Sequence, residues 1–260
     1  MTDPAERGRL AAVFTNPGVA DAYRHRPPYP AEVFDILERL ITDRPRRVLD
    51  IGAGEGALAR PLASRVDHVD ALDVSAAMIE AGRGRPGGRQ PNLRWIVGAA
   101  ETARLGGPYA LVTAGASLHW MSWPQTLARL VPALTGRGVL AIVDHGPRDL
   151  PWHAELEQII ARYSRSPGYN TTFSLTGELA ERGLLTVTGR ATTAPVRFRQ
   201  RVADFVEQFH STSSLAREGM PAEEAAAFDR AVTDLVLPYS AGGVLEMTVV
   251  ADLVWGAPTP

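Results

Sequence analysis

"VLDIGAGEG", residues 48–56, sets an acidic residue, Asp50, near the end of an apolar run and follows it with three glycines, Gly52, Gly54 and Gly56, at alternate positions. Val, Leu and Ile in close succession suit a strand buried on both faces. Glycines in that pattern let the backbone turn sharply and come close to a ligand. The helical run "GALARPLASR" (56–65) directly behind them would present its positive N-terminus to the same spot. Strand, glycine turn and helix together read as the first unit of a parallel α/β sheet with a ligand at the strand's C-terminal end.

The neighbouring sequence repeats the theme. "RRVLDIG" (46–52), "HVDALDV" (68–74), "NLRWIVG" (92–98), "YALVTAG" (109–115) and "GVLAIVDHG" (138–146) are short apolar runs about 20 to 25 residues apart. Helical patterns at 75–83 and 122–134 alternate with them, as a sheet covered on both faces requires. Beyond residue 150 the order changes. Helices are expected over 152–164, 176–183, 202–216 and 221–238, and strands over 184–199 and 244–256, the two late strands extending the sheet as an antiparallel pair. The whole reads as one domain, residues 1–260: N-terminal cap helices over 1–45, a cofactor-binding core over 46–147, and completing strands with a helical insertion over 148–260.

Composition narrows the chemistry. Cysteine is absent, which removes disulfides, thiolate nucleophiles and cysteine-ligated metals. All 27 basic residues are arginine, so Schiff-base chemistry and a P-loop lysine are also excluded. A formal charge of -2 and the lack of a basic stripe argue against a nucleic-acid partner. No run approaches the roughly 20 apolar residues of a membrane helix, and a cytoplasmic protein with no membrane partner is expected. The six histidines, at 25, 68, 119, 145, 153 and 210, show no paired ligand spacing, and no metal is expected. "GASLH" (115–119) is not the elbow of a serine hydrolase.

Glycine spacing alone leaves the ligand open, because Gly52, Gly54 and Ala57 also satisfy the dinucleotide pattern GxGxxG/A. Asp73, 19 residues after Gly54 at the end of the second strand, suits the two hydroxyls of a ribose in either kind of nucleoside cofactor. The full set, "VLDIGAGEG", "ALDVSAAMIEAGR" (71–83), "VGAAE" (97–101) and "YALVTAGASLHW" (109–120), resembles the class I S-adenosylmethionine-dependent methyltransferases. "YRHRPPYP" (23–30) is similar to the entry segment of the branch that includes trans-aconitate methyltransferase.

The resemblance covers residues 20–147 and implies a Rossmann-like, doubly wound α/β fold. Seven mostly parallel strands would carry an antiparallel final strand, with a helical cap over the C-terminal strand ends. It implies S-adenosyl-L-methionine as cofactor, with Gly52, Ala53, Gly54 and Gly56 along the methionine moiety and Asp50 near its ammonium group. Asp73 would hold the ribose, Val74 or Met78 would flank the adenine, and Ala99, Ala100 and Glu101 would sit at the adenine edge. Ala114 belongs to the same implied site. Tyr23, Arg26 and Tyr29 would cover the cofactor and pair its carboxylate, which suits a planar guanidinium.

His119 would lie between cofactor and acceptor, where an imidazole can take a proton from a hydroxyl or amine. Methyl transfer mainly needs alignment, however, so a packing role for His119 stays open. The expected partner is a small-molecule acceptor with an oxygen nucleophile, nitrogen or carbon being the alternatives; the oligomeric state is open. Trp120, Trp123, Trp152, Tyr163, Tyr169, Phe173, Phe205 and Phe209 are the expected supply of acceptor walls. Two other readings remain: a methyltransferase fold without methyl transfer, and a nicotinamide oxidoreductase.

Overall fold

The computed structural model describes residues 17–165 and 174–259. Helices α1 (Pro17–Tyr23) and α2 (Glu32–Leu40) precede strand β1 (Arg47–Ile51). Then follow α3 (Ala59–Ala63), β2 (His68–Asp73), α4 (Ala76–Gly84), β3 (Leu93–Val97), β4 (Tyr109–Gly115), α5 (Trp123–Leu130) and β5 (Leu134–Arg148). The remainder comprises α6 (His153–Tyr163), α7 (Leu175–Glu181), β6 (Leu185–Thr192), β7 (Val196–Arg201), α8 (Val202–Glu207), α9 (Ala222–Val236) and β8 (Val244–Pro258).

The strands form one sheet in the order β3-β2-β1-β4-β5-β8-β6, with β7 also paired to β8. β1 to β5 are mutually parallel, whereas β8 runs antiparallel to β5, β6 and β7. The sheet therefore has eight strands and not seven. The apolar run expected as one strand over 184–199 breaks after Thr192, and Pro195, which has no N–H for a ladder, sits just ahead of β7. β8, 15 residues long, accommodates both pieces: its C-terminal half pairs with β6 and its N-terminal half with β7. The helix expected over 202–216 also stops early, at Glu207, and continues as a 3-10 turn to Ser211. Ser211 and Thr212 donate their hydroxyls to the carbonyls of Gln208 and Phe209, a local alternative that ends helices.

Alternation along the strands gives the sheet two apolar faces. Val48, Val69, Leu111 and Val143 pack against Val33 and Leu37 of α2 and Leu62 of α3. Leu49, Leu72, Val112 and Ile142 pack on the other face against Leu127 of α5 and Leu179 of α7. A third core lies off the sheet centre, where Trp152, Leu156, Phe205, Phe228 and Val232 meet Leu245 and Met247 at the start of β8. The helices after residue 150 thus have a core of their own.

β1 lies between β2 and β4, so the connections after β1 and β4 leave toward different sides and open a crevice at their C-terminal ends. The segment between α1 and α2, here called the strap, crosses those ends. The Pro27 carbonyl accepts a hydrogen bond of 2.7 Å from Nε2 of His145 in β5. A Cβ on Gly115, the last residue of β4, would lie 2.5 Å from the Tyr29 hydroxyl.

Candidate functional site

Gly52 shows why the loop after β1 must be glycine. Its φ is +64°, and an added Cβ would stand 2.4 Å from Cβ of Ser117 in the loop after β4. Ser117 donates its hydroxyl to the Ile51 carbonyl at 2.6 Å, which fastens the two loops together. Ala116, next to it, is held at φ 47°, a conformation that costs about 1 kcal/mol or more for a residue with a Cβ. The crevice floor is thus rigid and closely approached by backbone.

Asp73 closes the adjacent wall. Its Oδ2 accepts from Gly54 N and its Oδ1 from Ser75 N, both at 2.7 Å. Each carboxylate oxygen keeps a further lone pair, so the group can hold the glycine loop and still accept two hydroxyls. Burial raises its pKa from the usual range, and the two backbone N–H groups pull it back down. Ser75 also caps α4 by accepting from Met78 N, which turns the Met78 side chain, 2 % exposed, in beneath the cavity.

These elements enclose a cavity of about 230 Å³. Of the residues expected from sequence, Tyr23, Arg26, Gly52, Gly54, Asp73, Val74, Met78, Ala100, Glu101 and His119 line it. Glu101 accepts from Ser122 N at 2.7 Å, tying the adenine-side loop to the start of α5. Arg26 lies 4.3 Å over the Tyr23 ring and donates from Nε to Ser211 Oγ at 2.7 Å. That bond orients its guanidinium along the wall shared by strap and cap.

Six expected residues stand elsewhere, Tyr29 among them. Asp50 is 2 % exposed, under the loop and off the cavity wall, where it accepts from the Thr113 hydroxyl at 2.8 Å. Burial lifts its pKa to about 7, against the opposing effect of that hydrogen bond. Ala53 turns into the core beside Leu58, its N–H bonded to the Leu72 carbonyl. Gly56 serves a packing contact, since a Cβ there would meet the Trp95 ring at 2.5 Å. Ala99 is passed over in favour of Gly98 and Ala100, and Ala114 is fully buried among Leu49, Val112 and Leu127, leaving Gly115, Ala116 and Ser117 to face the cavity. On a strand end, one residue's shift in register moves a side chain from wall to core.

His119 sits in the 3-10 turn Leu118–Trp120, with ring centroids 4.5 Å from Trp120. Burial holds its pKa down to about 4, so the ring is neutral near pH 7 and a weak base. Tyr29 belongs to a different place: its ring stacks on His145 at 3.8 Å, on the other side of the strap. Residues that sequence reasoning missed are Ser117, Met121 and Thr212. Ser117 lay inside a segment quoted for the resemblance (109–120) but was given no role there, and Thr212 reaches the cavity from the cap with no local pattern to announce it.

The expected acceptor walls fare differently. Trp120 lines the cavity. Trp123 is buried and donates to the Leu118 carbonyl at 3.0 Å. Trp152, Tyr163, Phe205 and Phe209 form edge and tilted contacts within the third core. Tyr169 and Phe173 lie outside the described residues. Aromatics on amphipathic cap helices went inward, as their burial requires. Among the described residues no group of three or more His, Asp or Glu could hold a metal ion.

The last strand runs antiparallel and is inserted between β5 and β6, which separates this sheet from the all-parallel dinucleotide-binding order. Residues 48–138 match the family model described as "Methyltransferase domain". Over residues 48–138 the chain is similar to a class I methyltransferase domain. It resembles the S-adenosylmethionine-dependent enzymes of that class, trans-aconitate methyltransferase among them. Trans-aconitate 2-methyltransferase of Mycobacterium sp. (strain KMS) is 34% identical over 137 residues, 52% of each chain. Malonyl-[acyl-carrier protein] O-methyltransferase of Halalkalibacterium halodurans is 31% identical over 123 residues, 45% of each. The alignments thus span about half the length of these curated relatives.

Solved structures share the fold of the methyltransferase domain and its additions. A candidate type II methyltransferase of Anaeromyxobacter dehalogenans superposes with TM-score 0.65 at 20% identity, covering 90% of this chain and 99% of the other. A SAM-dependent methyltransferase of Geobacter sulfurreducens in complex with S-adenosyl-L-homocysteine gives 0.54 at 16%, covering 95% and 98%. No helix among the described residues is long and apolar enough to cross a membrane.

Proposed function

We propose that this protein transfers the methyl group of S-adenosylmethionine to an oxygen of a small-molecule acceptor, with strap, sheet and cap working as one catalytic unit. The observation that carries the reading is Asp73. Its carboxylate is fixed by two backbone N–H groups at the mouth of a cavity whose floor, at Gly52, has no room for a Cβ. The residues present fit the cofactor: Asp73 for the ribose hydroxyls, Val74 and Met78 beside the base, Gly52 and Gly54 beneath the methionine portion, and Arg26 for its carboxylate. When bound, S-adenosylmethionine supplies a methyl group activated by a sulfonium.

The chain's own contribution is alignment and exclusion of water, since the one histidine on the cavity wall is a weak base. An oxygen acceptor is favoured because the Halalkalibacterium relative is named as an O-methyltransferase. The test is a thermal-shift comparison followed by single-turnover product analysis with isotopically labelled cofactor. S-adenosylmethionine and S-adenosylhomocysteine should each raise Tm, by about 2.7 kcal/mol of added stability at a hundredfold excess over Kd, whereas NAD and NADP should not. Equal stabilisation by NAD overturns the reading.

A further inference from the structure

Arg26 stands between two cavities. A second and larger one, of about 770 Å³, opens on the far side of the strap, and Tyr23 and Arg26 line both. A guanidinium in that place can turn its charge to either side, so a partner must fix which. We propose that Ser211 of the cap is a positioning residue for the cofactor: it holds one edge of the Arg26 guanidinium and so presents the other edge to the methionine carboxylate. The proposal rests on the cofactor reading above and deepens it by naming the residue that aims its cation.

The fork geometry of arginine is the first ground. A planar guanidinium carries five N–H donors, set so that one edge can be occupied while another stays open. Arg26 spends its Nε–Nη2 edge on Ser211, donating from Nε to Oγ at 2.7 Å and from Nη2 to the carbonyl at 3.3 Å. Its Cζ lies 4.3 Å over the Tyr23 ring, which fixes the plane. The Nη1–Nη2 edge is left for a bidentate carboxylate. Both acceptors on Ser211 are uncharged, and among the described residues Arg26 is in no ion pair. The charge is held in place without being neutralised.

The turn that carries Ser211 is built to hold still. Ser211 is fully buried, and its own hydroxyl proton goes to the Gln208 carbonyl, so Oγ offers only lone pairs to the strap. Leu215 N donates to the Thr212 carbonyl at 3.2 Å, and the buried His210 ring bridges the Leu215 carbonyl, 2.7 Å from Nδ1, and Asp229 Oδ1, 2.7 Å from Nε2. Asp229 Oδ2 accepts from Arg217 at 2.9 Å. Burial acts to raise the Asp229 pKa, but the hydrogen bonds from His210 and Arg217 hold it below the ordinary carboxylate range, so the anchor stays an anion. Thr212, one residue beyond Ser211, is on the wall of the cofactor cavity, so the turn reaches the site it serves.

A simple fastening of strap to cap would be the rival account, but the strap has other fastenings. Gln200 donates from Nε2 to the His25 carbonyl at 2.6 Å, His145 donates from Nε2 to the Pro27 carbonyl at 2.7 Å, and His25 pairs with Asp204 at 3.2 Å. These contacts grip the chain immediately before and after Arg26, and none of them involves its guanidinium. What Ser211 adds is direction.

The experiment measures, by calorimetry on the full chain, two ligands that differ only in the carboxylate: S-adenosylhomocysteine and its decarboxylated form. Ser211→Ala should weaken S-adenosylhomocysteine about tenfold or more and change the decarboxylated ligand by less than about twofold. Arg26→Gln should show the same selectivity, and adding Ser211→Ala to it should cost less than about a further twofold, because the two residues act as one unit. Where Ser211→Ala fails to fold, Ser211→Cys, similar in size and a weak acceptor, takes its place. Equal weakening of both ligands makes Ser211 a fastener and overturns the proposal. Unchanged affinity for S-adenosylhomocysteine in Ser211→Ala overturns it too, as does an Arg26→Gln chain that still prefers the carboxylate. In each of these cases the cofactor reading stands, since the wild-type chain binds. If neither ligand binds the wild-type chain, that reading fails first and takes the proposal with it.

Discussion

The two cavities on either side of the strap are gathered from the chain in different ways. Apart from Tyr23 at the end of α1, Arg26 of the strap and Thr212, the walls of the smaller one come from residues 52–121, most of them within a few positions of a strand's C-terminal end. The larger one draws on residues 23–34, 55–61, 145, 198–204 and 244, brought together by the antiparallel addition of β7 to β8. A wall made of strand ends inherits its placement from the sheet and changes little if the cap changes. A wall made of distant pieces exists only when every piece has docked, and its side chains are free to differ from protein to protein.

The comparison can be broken most severely through the cap core. Phe205 is 1 % exposed and lies against Trp152 and Phe209. Phe205→Ala should cost about 3 to 5 kcal/mol of unfolding free energy in a denaturant titration and leave S-adenosylhomocysteine affinity unchanged under folding conditions. A variant that stayed fully stable yet lost acceptor binding would make this aromatic group a wall after all.

A smaller effect falls on one cavity alone. Asp73→Ala removes charge-assisted bonds worth about 1.5 to 3 kcal/mol, so S-adenosylhomocysteine should bind roughly tenfold to a hundredfold more weakly. Cofactor affinity left intact would place the nucleoside somewhere other than the end of β2.

The smallest change is expected at His119. With its pKa near 4, the ring is uncharged through the neutral range, and it contributes no inflection to a rate profile between about pH 5.5 and 8. His119→Ala should slow saturated turnover by less than about tenfold, below the 10²-fold usual for loss of a general base. A drop of that larger size, with an inflection in the profile, would restore His119 as a proton acceptor. The lowered pKa also has a stability consequence. The unfolded chain binds a proton below pH ~6.5 and the folded one does so only near pH 4, so stability conferred by the neutral ring is lost as pH falls through that window.

The legibility of the two cavities follows the same division. "VLDIGAGEG" and Asp73 could be read because a strand, a tight turn and a helix N-terminus fix where a few adjacent residues must go. Asp50, Ala53 and Ala114 could not be resolved in that way. They belong to the right segments, yet the two-residue period of a strand decides wall or core, and sequence gives the period without its phase. The break before β7 hung on one proline inside an otherwise strand-like run, and the early end of the helix after residue 202 hung on two hydroxyls competing for carbonyls. The larger cavity left no local trace, because residues 23–34 and 198–204 come to line it together only through tertiary docking.

The long final strand bears on how the protein is made. β6 and β7 find their sheet partner in β8, which occupies an interior place beside β5. On a ribosome, residues 185–201 emerge before residues 244–258 exist, and at about 5 to 20 residues per second they wait roughly 3 to 10 seconds for a ladder. During that interval they are open strand edges, the kind of surface on which chains pair wrongly. Every second residue of β7 from Arg197 to Arg201 is arginine, and a row of like charges repels a second copy of itself. Arg197, Arg199 and Arg201 thus put the charge that disfavours wrong pairing on the strand that waits longest beside its missing partner.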